Sequence, residues 1–210
     1  ATEDGGLNYL NSKKEITRAE RLHKQMQIYA KNIHSLWLDK DNSLWLGLFL
    51  KGALHYIPHL NRTVDYNLLS EEVSSGFCII EDKNDHVWYG GPSGLFLIDK
   101  KKANARPEKI SPLRIFNLVQ FNDSILWAGT RKGSMFQINT RTLKVTSLPI
   151  LPHTDLYVTY IYPDSHQRIW IGTDNNGLYV SDRNGSIIAS YSKEQLGSNA
   201  IKGLSLIHIS

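Results

Sequence analysis

Apolar residues along this chain come in short runs of four to six, broken by polar turns, and the pattern returns every 39 to 43 positions. Four Trp-x-Gly triplets mark the period: Trp45-Leu46-Gly47, Trp88-Tyr89-Gly90, Trp127-Ala128-Gly129 and Trp170-Ile171-Gly172. A second glycine follows each Trp by six or seven positions (Gly52, Gly94, Gly133, Gly177) and opens another apolar run. An acidic residue stands six positions before Trp in three copies, Asp39, Asp82 and Asp164. In the third copy that turn is one residue shorter and reads Phe121-Asn122-Asp123-Ser124. Runs this short, punctuated by Asp, Asn, Ser and Gly, predict strands and tight turns rather than helices.

Each copy predicts four strands. First strands are expected near Ile33–Leu38, Gly76–Ile80, Ile115–Phe121 and Val158–Tyr162, each ending at its acidic turn. The second strand carries the Trp, as in Arg168–Gly172, and the third follows the second glycine, as in Gly94–Ile98. Fourth strands are weakly marked, with Thr63–Tyr66 and Ser186–Ala189 as examples. Four strands in about 40–45 residues is the size of a β-propeller blade. The expected fold is therefore all-β, an incomplete propeller of about four to five antiparallel blades. The expected boundaries are 1–31 for the end of a truncated blade, then blades at 32–75, 76–113, 114–156 and 157–199, with a further blade starting at 200–210. A lone blade cannot cover its own faces, so Trp45, Trp88, Trp127 and Trp170 are expected to fill the space between neighbours.

The repeat resembles the two-component regulator propeller repeat, whose pattern is an apolar strand, an acidic turn, Trp-x-Gly-Thr, then Gly-Leu and an aromatic. The match runs from Asp164 to Trp170 and on through Gly172-Thr173-Asp174-Asn175-Asn176-Gly177-Leu178-Tyr179. The opening Ala1–Tyr9 resembles the same stretch with its Trp removed. Asn42, Asp85 and Gln167 replace the glycine usual inside the acidic turn, and Thr is missing after Gly47 and Gly90; these departures are expected to loosen single turns without shifting the register. The resemblance implies an extracytoplasmic sensor region of a hybrid histidine kinase, of the kind found in glycan-degrading bacteria. It implies a periplasmic location, a membrane helix and kinase elsewhere in a parent protein, and a possible homodimer. It does not name a ligand, because blades are reused for many purposes.

Two stretches fit the repeat less well. Lys13–Lys31 is basic, and Ala19–Tyr29 is rich in helix formers, but the spacing from Gly6 to Ile33 favours ordinary blade strands and loops. Leu204–Ser210 lacks the expected acidic turn and resembles the translated mosaic end of a transposon used in sequencing libraries, with a degenerate native strand as the equal alternative, so it takes no part in functional reasoning.

Composition narrows the function classes. The 210 residues are 41% hydrophobic and 21% charged with a formal charge of +4, an ordinary globular balance whose cationic excess is too small and dispersed to imply nucleic acid. The single cysteine, Cys78, excludes an internal disulfide and a cysteine-based zinc site, and its apolar neighbours mark it as a buried hydrophobe. No apolar stretch approaches the ~20 residues of a membrane-spanning helix. His55 and His59 would share a face only on a helix, and Pro58 with the repeat places them in a strand and its exit, so no metal is expected. Gly90-Gly91-Pro92-Ser93-Gly94 matches no phosphate-binding loop, and no Ser-His-Asp signature groups a nucleophile with a base. The sequons at Asn61, Asn122 and Asn184 read as turn residues. No cofactor is expected. The Lys100-Lys101-Lys102 cluster, with Arg106 and Lys109, reads as a solvated rim that protects a strand edge.

In an antiparallel blade, the loops between second and third strands share one end with the inter-blade connections, and the acidic turns lie at the other. The acidic turns are near-constant in length, whereas the other loops vary, and variation on a rigid scaffold is where specificity is usually placed. Lys51, Arg131, Lys132, His153, Asp174 and Asn175 on those loops are the candidate ligand-binding residues. The Arg131-Lys132 pair suits a carboxylated or sulfated sugar, since Arg can fork two bonds to such a group. The leading expectation is a sensory module for an oligosaccharide or other small ligand, working with the rest of its own propeller. The alternatives are a propeller enzyme of lyase or quinoprotein type, which needs a His or Arg constellation converging from several blades, and a scaffold propeller, which needs exposed apolar anchors.

Overall fold

A computed structural model describes residues 7–18, 32–66, 75–130, 134–148, 151 and 156–203. The described residues form an all-β protein of propeller-type blades, four antiparallel sheets of four strands each in simple meander order. A two-stranded ribbon, β1 (Asn8–Leu10) and β2 (Ile16–Arg18), precedes them. The first blade holds β3 (Ile33–Leu38), β4 (Leu44–Leu48), β5 (Ala53–Ile57) and β6 (Arg62–Asp65). The second holds β7 (Cys78–Glu81), β8 (His86–Gly91), β9 (Gly94–Asp99) and β10 (Glu108–Ser111). The third holds β11 (Ile115–Asn122), β12 (Ile125–Thr130), β13 (Met135–Asn139) and β14 (Val145–Ser147). The fourth holds β15 (Val158–Pro163), β16 (Ile169–Thr173), β17 (Leu178–Ser181) and β18 (Ile187–Tyr191), followed by a one-turn helix, Lys193–Leu196. First strands fall where the hydrophobic runs predict them, with β7 starting two residues later than expected. Lys13–Arg18 forms a turn and strand, and Ala19–Tyr29 lies outside the described residues, as does Leu204–Ser210.

The chain groups into two compact units, one of residues 1–81 and 85–112 and the other of residues 82–84 and 113–210. In the first unit Trp45 is fully buried between its own blade and the next, packed with Tyr66, Ile79, Val87, Tyr89, Phe96 and Ile98. In the second unit Trp127 is buried in the same way against Ile161, Ile169, Ile171 and Tyr179. The packing role expected for the repeated Trp holds at both positions. Outer strands such as β14 and β18 are largely exposed, so little selects a two-residue alternation in them and their sequence signal is weak.

The acidic residue six positions before Trp does more than end a strand. Asp164 Oδ2 accepts the Trp170 indole N–H at 2.9 Å and the Arg168 Nε–H at 2.6 Å, while Oδ1 accepts the backbone N–H groups of His166 and Arg168. Burial pushes its pKa up, but the bonds from Trp170, Arg168 and His166 outweigh that and hold the carboxyl at about 2. Asp39 clasps Trp45 in the same way at 3.1 Å. In the third blade, where the turn is a residue shorter and position 121 is Phe, the buried Trp127 indole N–H has no partner among the described residues. Asn42, Asp85 and Gln167, which stand where the turn usually has glycine, all adopt left-handed φ of 60 to 65°. At two of these turns the closing bond is kept: the N–H of Asn42 bonds Asp39 O and that of Gln167 bonds Asp164 O, at 3.0 and 3.1 Å.

The glycine of Trp-x-Gly is fixed by close approach of the next first strand. A Cβ on Gly47 would stand 2.3 Å from Gly76 O, and one on Gly129 would stand 2.6 Å from Val158 Cγ1. Side chains of one first strand also tie the next: Ser35 Oγ donates to Gly76 O at 3.2 Å, and Asn117 Nδ2 donates to Val158 O and Thr159 O at 3.0 and 2.8 Å.

His55 lies opposite Trp45 in the β4–β5 pairing and stacks on it at 3.9 Å, with Nε2 2.6 Å from Ser43 Oγ. Burial pushes its imidazole from the ordinary 6.5 down to about 4. The unfolded chain therefore takes up a proton near pH 6.5 that the folded chain refuses until about pH 4, so stability is complete above 6.5 and falls as pH drops through that window. The expected loss is about 3 kcal/mol at the acid end. Denaturant unfolding at pH 7 and at pH 4.5 checks this: His55→Gln should flatten the difference, and equal pH dependence in both proteins would contradict it.

Candidate functional site

The candidate residues fall on both units. In the second unit Thr173 closes the β16–β17 loop: its hydroxyl donates to Gly177 O at 2.8 Å and accepts the Asn176 N–H at 3.0 Å. Thr130 makes the matching bond to Ser134 O in the third blade, which is the physical content of the Thr in Trp-x-Gly-Thr. Gly177 sits at φ 75°, and a Cβ there would meet Tyr191 O at 2.1 Å, so this loop is pressed against the exit of β18. Its geometry leaves Asn175 exposed and turns Asp174 inward. Asp174 Oδ1 accepts the Tyr157 N–H at 2.9 Å, and the Asp174 N–H donates to Tyr157 O at 3.1 Å. Asp174 therefore holds the connection into β15, a positioning role that its loop location did not reveal.

Asn175 and Asn176 open onto a cavity of about 340 Å³ whose other walls are Tyr179, Ser190, Tyr191, Ser192 and Asn199. Every lining side chain is a neutral amide, hydroxyl or phenol. Such groups supply both donors and acceptors, and the tyrosines add flat apolar faces. Tyr191 is held by stacking on Trp170 at 6.2 Å, and Asn199 O accepts the Gly177 N–H at 2.8 Å, so the walls are tied to the repeat framework. This chemistry suits an uncharged, hydroxyl-rich ligand.

In the first unit Lys51 occupies the β4–β5 loop and is partly buried. The same loop presents Phe49, 42% exposed, and Leu50, held at φ 55° with its N–H bonded to Ser75 Oγ at 2.8 Å. The ring of His34 lies 5.5 Å from that of Phe49 and 5.3 Å from that of Phe77. This three-ring cluster lies beside Lys51, and sequence reasoning passed over it. The available signal was the aromatic or imidazole ring recurring at His34, Phe77 and Phe116, next to a first-strand start in three copies. Arg131, Lys132 and His153 lie outside the described residues.

In the basic cluster after β9, Lys101, Lys102, Arg106 and Lys109 are exposed as the expected rim requires, and Lys100 is the member that differs. Lys100 is only 18% exposed and reaches across to Asp39 and, at 2.7 Å, to Glu81. Burial opposes the charge on each group. The bonds from Glu81, Lys100 and Trp45 nevertheless hold the Asp39 carboxyl well below its usual range, whereas burial and the Asp39 charge push Glu81 up. His59 is exposed in a 3-10 turn, Pro58–Leu60, away from the inward-facing His55.

Residues 153–175 match the family model described as two component regulator propeller. Histidine kinase P4 of Formosa agariphila is 26% identical over 197 residues, an alignment covering 84% of this chain and 14% of that protein. Among solved structures, the extracellular domain of the putative hybrid two component system BT4673 from B. thetaiotaomicron superposes with a TM-score of 0.75 at 22% identity, over 95% of this chain and 27% of that one. The extracellular domain of the putative hybrid two component system BT3049 from the same source gives 0.67 at 18% identity, over 91% of this chain and 28% of that one. PorZ, a surface component of the type-IX secretion system of Porphyromonas gingivalis, gives 0.65 at 18% identity over 85% and 30%. The chain thus spans about a seventh of the curated relative and about a quarter of each solved domain.

Proposed function

We propose that this chain, which carries the two component regulator propeller repeat at residues 153–175, is a segment of an extracytoplasmic propeller that senses an oligosaccharide for a two-component signalling protein. The observation that carries this reading is the neutral Asn, Ser and Tyr cavity at the β16–β17 loop, built on the blade that matches the family. The exposed Phe49 with His34 and Phe77 supports it from the other unit, as a stacking surface beside Lys51. The sensing reading also draws on the relatives, two of which are extracellular domains of putative hybrid two component systems and one a histidine kinase. In this reading the segment binds and does not catalyse, the parent lies in the inner membrane facing the periplasm, and binding is passed to a kinase elsewhere in that parent.

The experiment uses the intact parent protein in lipid vesicles, with oligosaccharides supplied at the sensing face. Phosphate incorporation from labelled nucleotide should change on adding one class of oligosaccharide, and the sugar should be recovered whole. A parent whose phosphorylation ignores every oligosaccharide, or which cleaves the one it binds, would overturn the proposal.

A further inference from the structure

The larger cavity lies in the first unit, away from the loops that carry the candidate residues. It has a volume of about 820 Å³ and runs between the outer strand β6 and the loop that follows β9. Its cationic walls are Arg62 from β6, Lys102 and Arg106 from the loop, and the end of Lys100. Lys100 is spent on Asp39 and Glu81, and Lys102 meets Asp99 only at 3.8 Å. Arg62 and Arg106 form no ion pair among the described residues, and Asp65 is the one carboxylate on the walls. The floor is His55 and Tyr66, each 8% exposed. Thr63 adds a buried hydroxyl that has no hydrogen-bond partner among the described residues.

These features differ from a solvated rim in their shape. A rim spreads its charges over a convex edge, whereas here two guanidinium groups, with no ion pair among the described residues, line one concavity together with His55 and Tyr66. Guanidinium groups pair best with planar or tetrahedral oxyanions, through two parallel bonds. The aromatic floor and the volume ask for a ring attached to that anion rather than the anion alone. We infer that this cavity binds an anionic saccharide, one bearing sulfate or carboxylate groups, with Arg62 and Arg106 as its charge clamp. This rests on the oligosaccharide-sensing reading for the ligand class, but it concerns a separate site and a separate charge.

The test is calorimetric titration of the full chain with a sulfated oligosaccharide, an oligouronate, a neutral oligosaccharide, and inorganic sulfate and phosphate, each at low and high salt. One of the anionic oligosaccharides should bind saturably and more weakly at high salt. The double variant Arg62→Gln/Arg106→Gln should weaken that binding about 10-fold or more, the scale of one lost charge-assisted bond. Lys102→Glu should weaken it too, which covers the case of a poorly folded double variant. Arg141→Gln/Lys144→Gln removes as much charge from the other unit and should change nothing. The inference is overturned if no anionic oligosaccharide binds, if inorganic sulfate or phosphate binds as tightly, or if the control double variant loses as much. Neutral-sugar binding that persists while anionic binding fails would sink this site and leave the sensing reading standing.

Discussion

Trp45→Ala is expected to destabilise the fold by about 4 kcal/mol, the largest loss of any single substitution considered, because it opens a cavity between two blades. The side chain is fully buried, stacks on His55 and Tyr66, and donates its indole N–H to Asp39. Removing it takes one donor from a buried carboxylate, which keeps Lys100, as well as emptying the packing space. A milder pair separates the two contributions. Trp45→Phe keeps most of the ring but deprives Asp39 of a donor, and should cost about 1–2 kcal/mol. Trp127→Phe removes an indole N–H that bonds nothing among the described residues, and should cost clearly less. Denaturant unfolding of the three variants checks this, and equal losses for the two Phe variants would show that the Asp clasp contributes nothing.

Gly47→Val should cost about 3 kcal/mol, through overpacking rather than through lost contacts. A Cβ at that position would lie 2.1 Å from Ser35 Oγ and 2.3 Å from Gly76 O. The serine can rotate aside, but the Gly76 carbonyl is backbone and moves only if the β3 and β7 strands part. Gly129→Ala should be cheaper, since its nearest obstacle is a Val158 methyl at 2.6 Å, and Gly203→Ala should be neutral, since nothing stands within 4 Å. Thermal unfolding of the three variants should follow that order. A Gly47→Val protein as stable as Gly203→Ala would mean that successive first strands do not approach as described.

The blades were legible because their determinants are local and repeated. Trp, the two glycines and the acidic turn recur within about 40 residues, so four imperfect copies reinforce one another. The six-residue offset from Asp to Trp was visible too, but its meaning needed the turn geometry that folds the carboxylate back over the indole. Asn42, Asp85 and Gln167 read as departures from glycine, and the backbone treats them as glycine, at left-handed φ. Asp174 sits on the loop chosen for ligand residues, and its carboxylate also accepts the N–H of Tyr157, a partner 17 positions away that no periodicity announces. The basic cavity was hidden for the same reason: Arg62 and Arg106 come from successive blades, and only the packing of β6 beside the loop after β9 brings them to one space. Lys100 looked like one of three rim lysines until its contacts with Asp39 and Glu81 were seen.

The claim that this chain is a sugar-sensing module is tested most directly by titrating it with a panel of defined oligosaccharides and following bound heat. One class should bind saturably, and Asn175→Ala or Tyr191→Ala should weaken it about 10-fold, the loss expected for one hydrogen bond or one stacking face. A chain that binds no member of the panel, or binds one equally well with both side chains removed, would contradict the account.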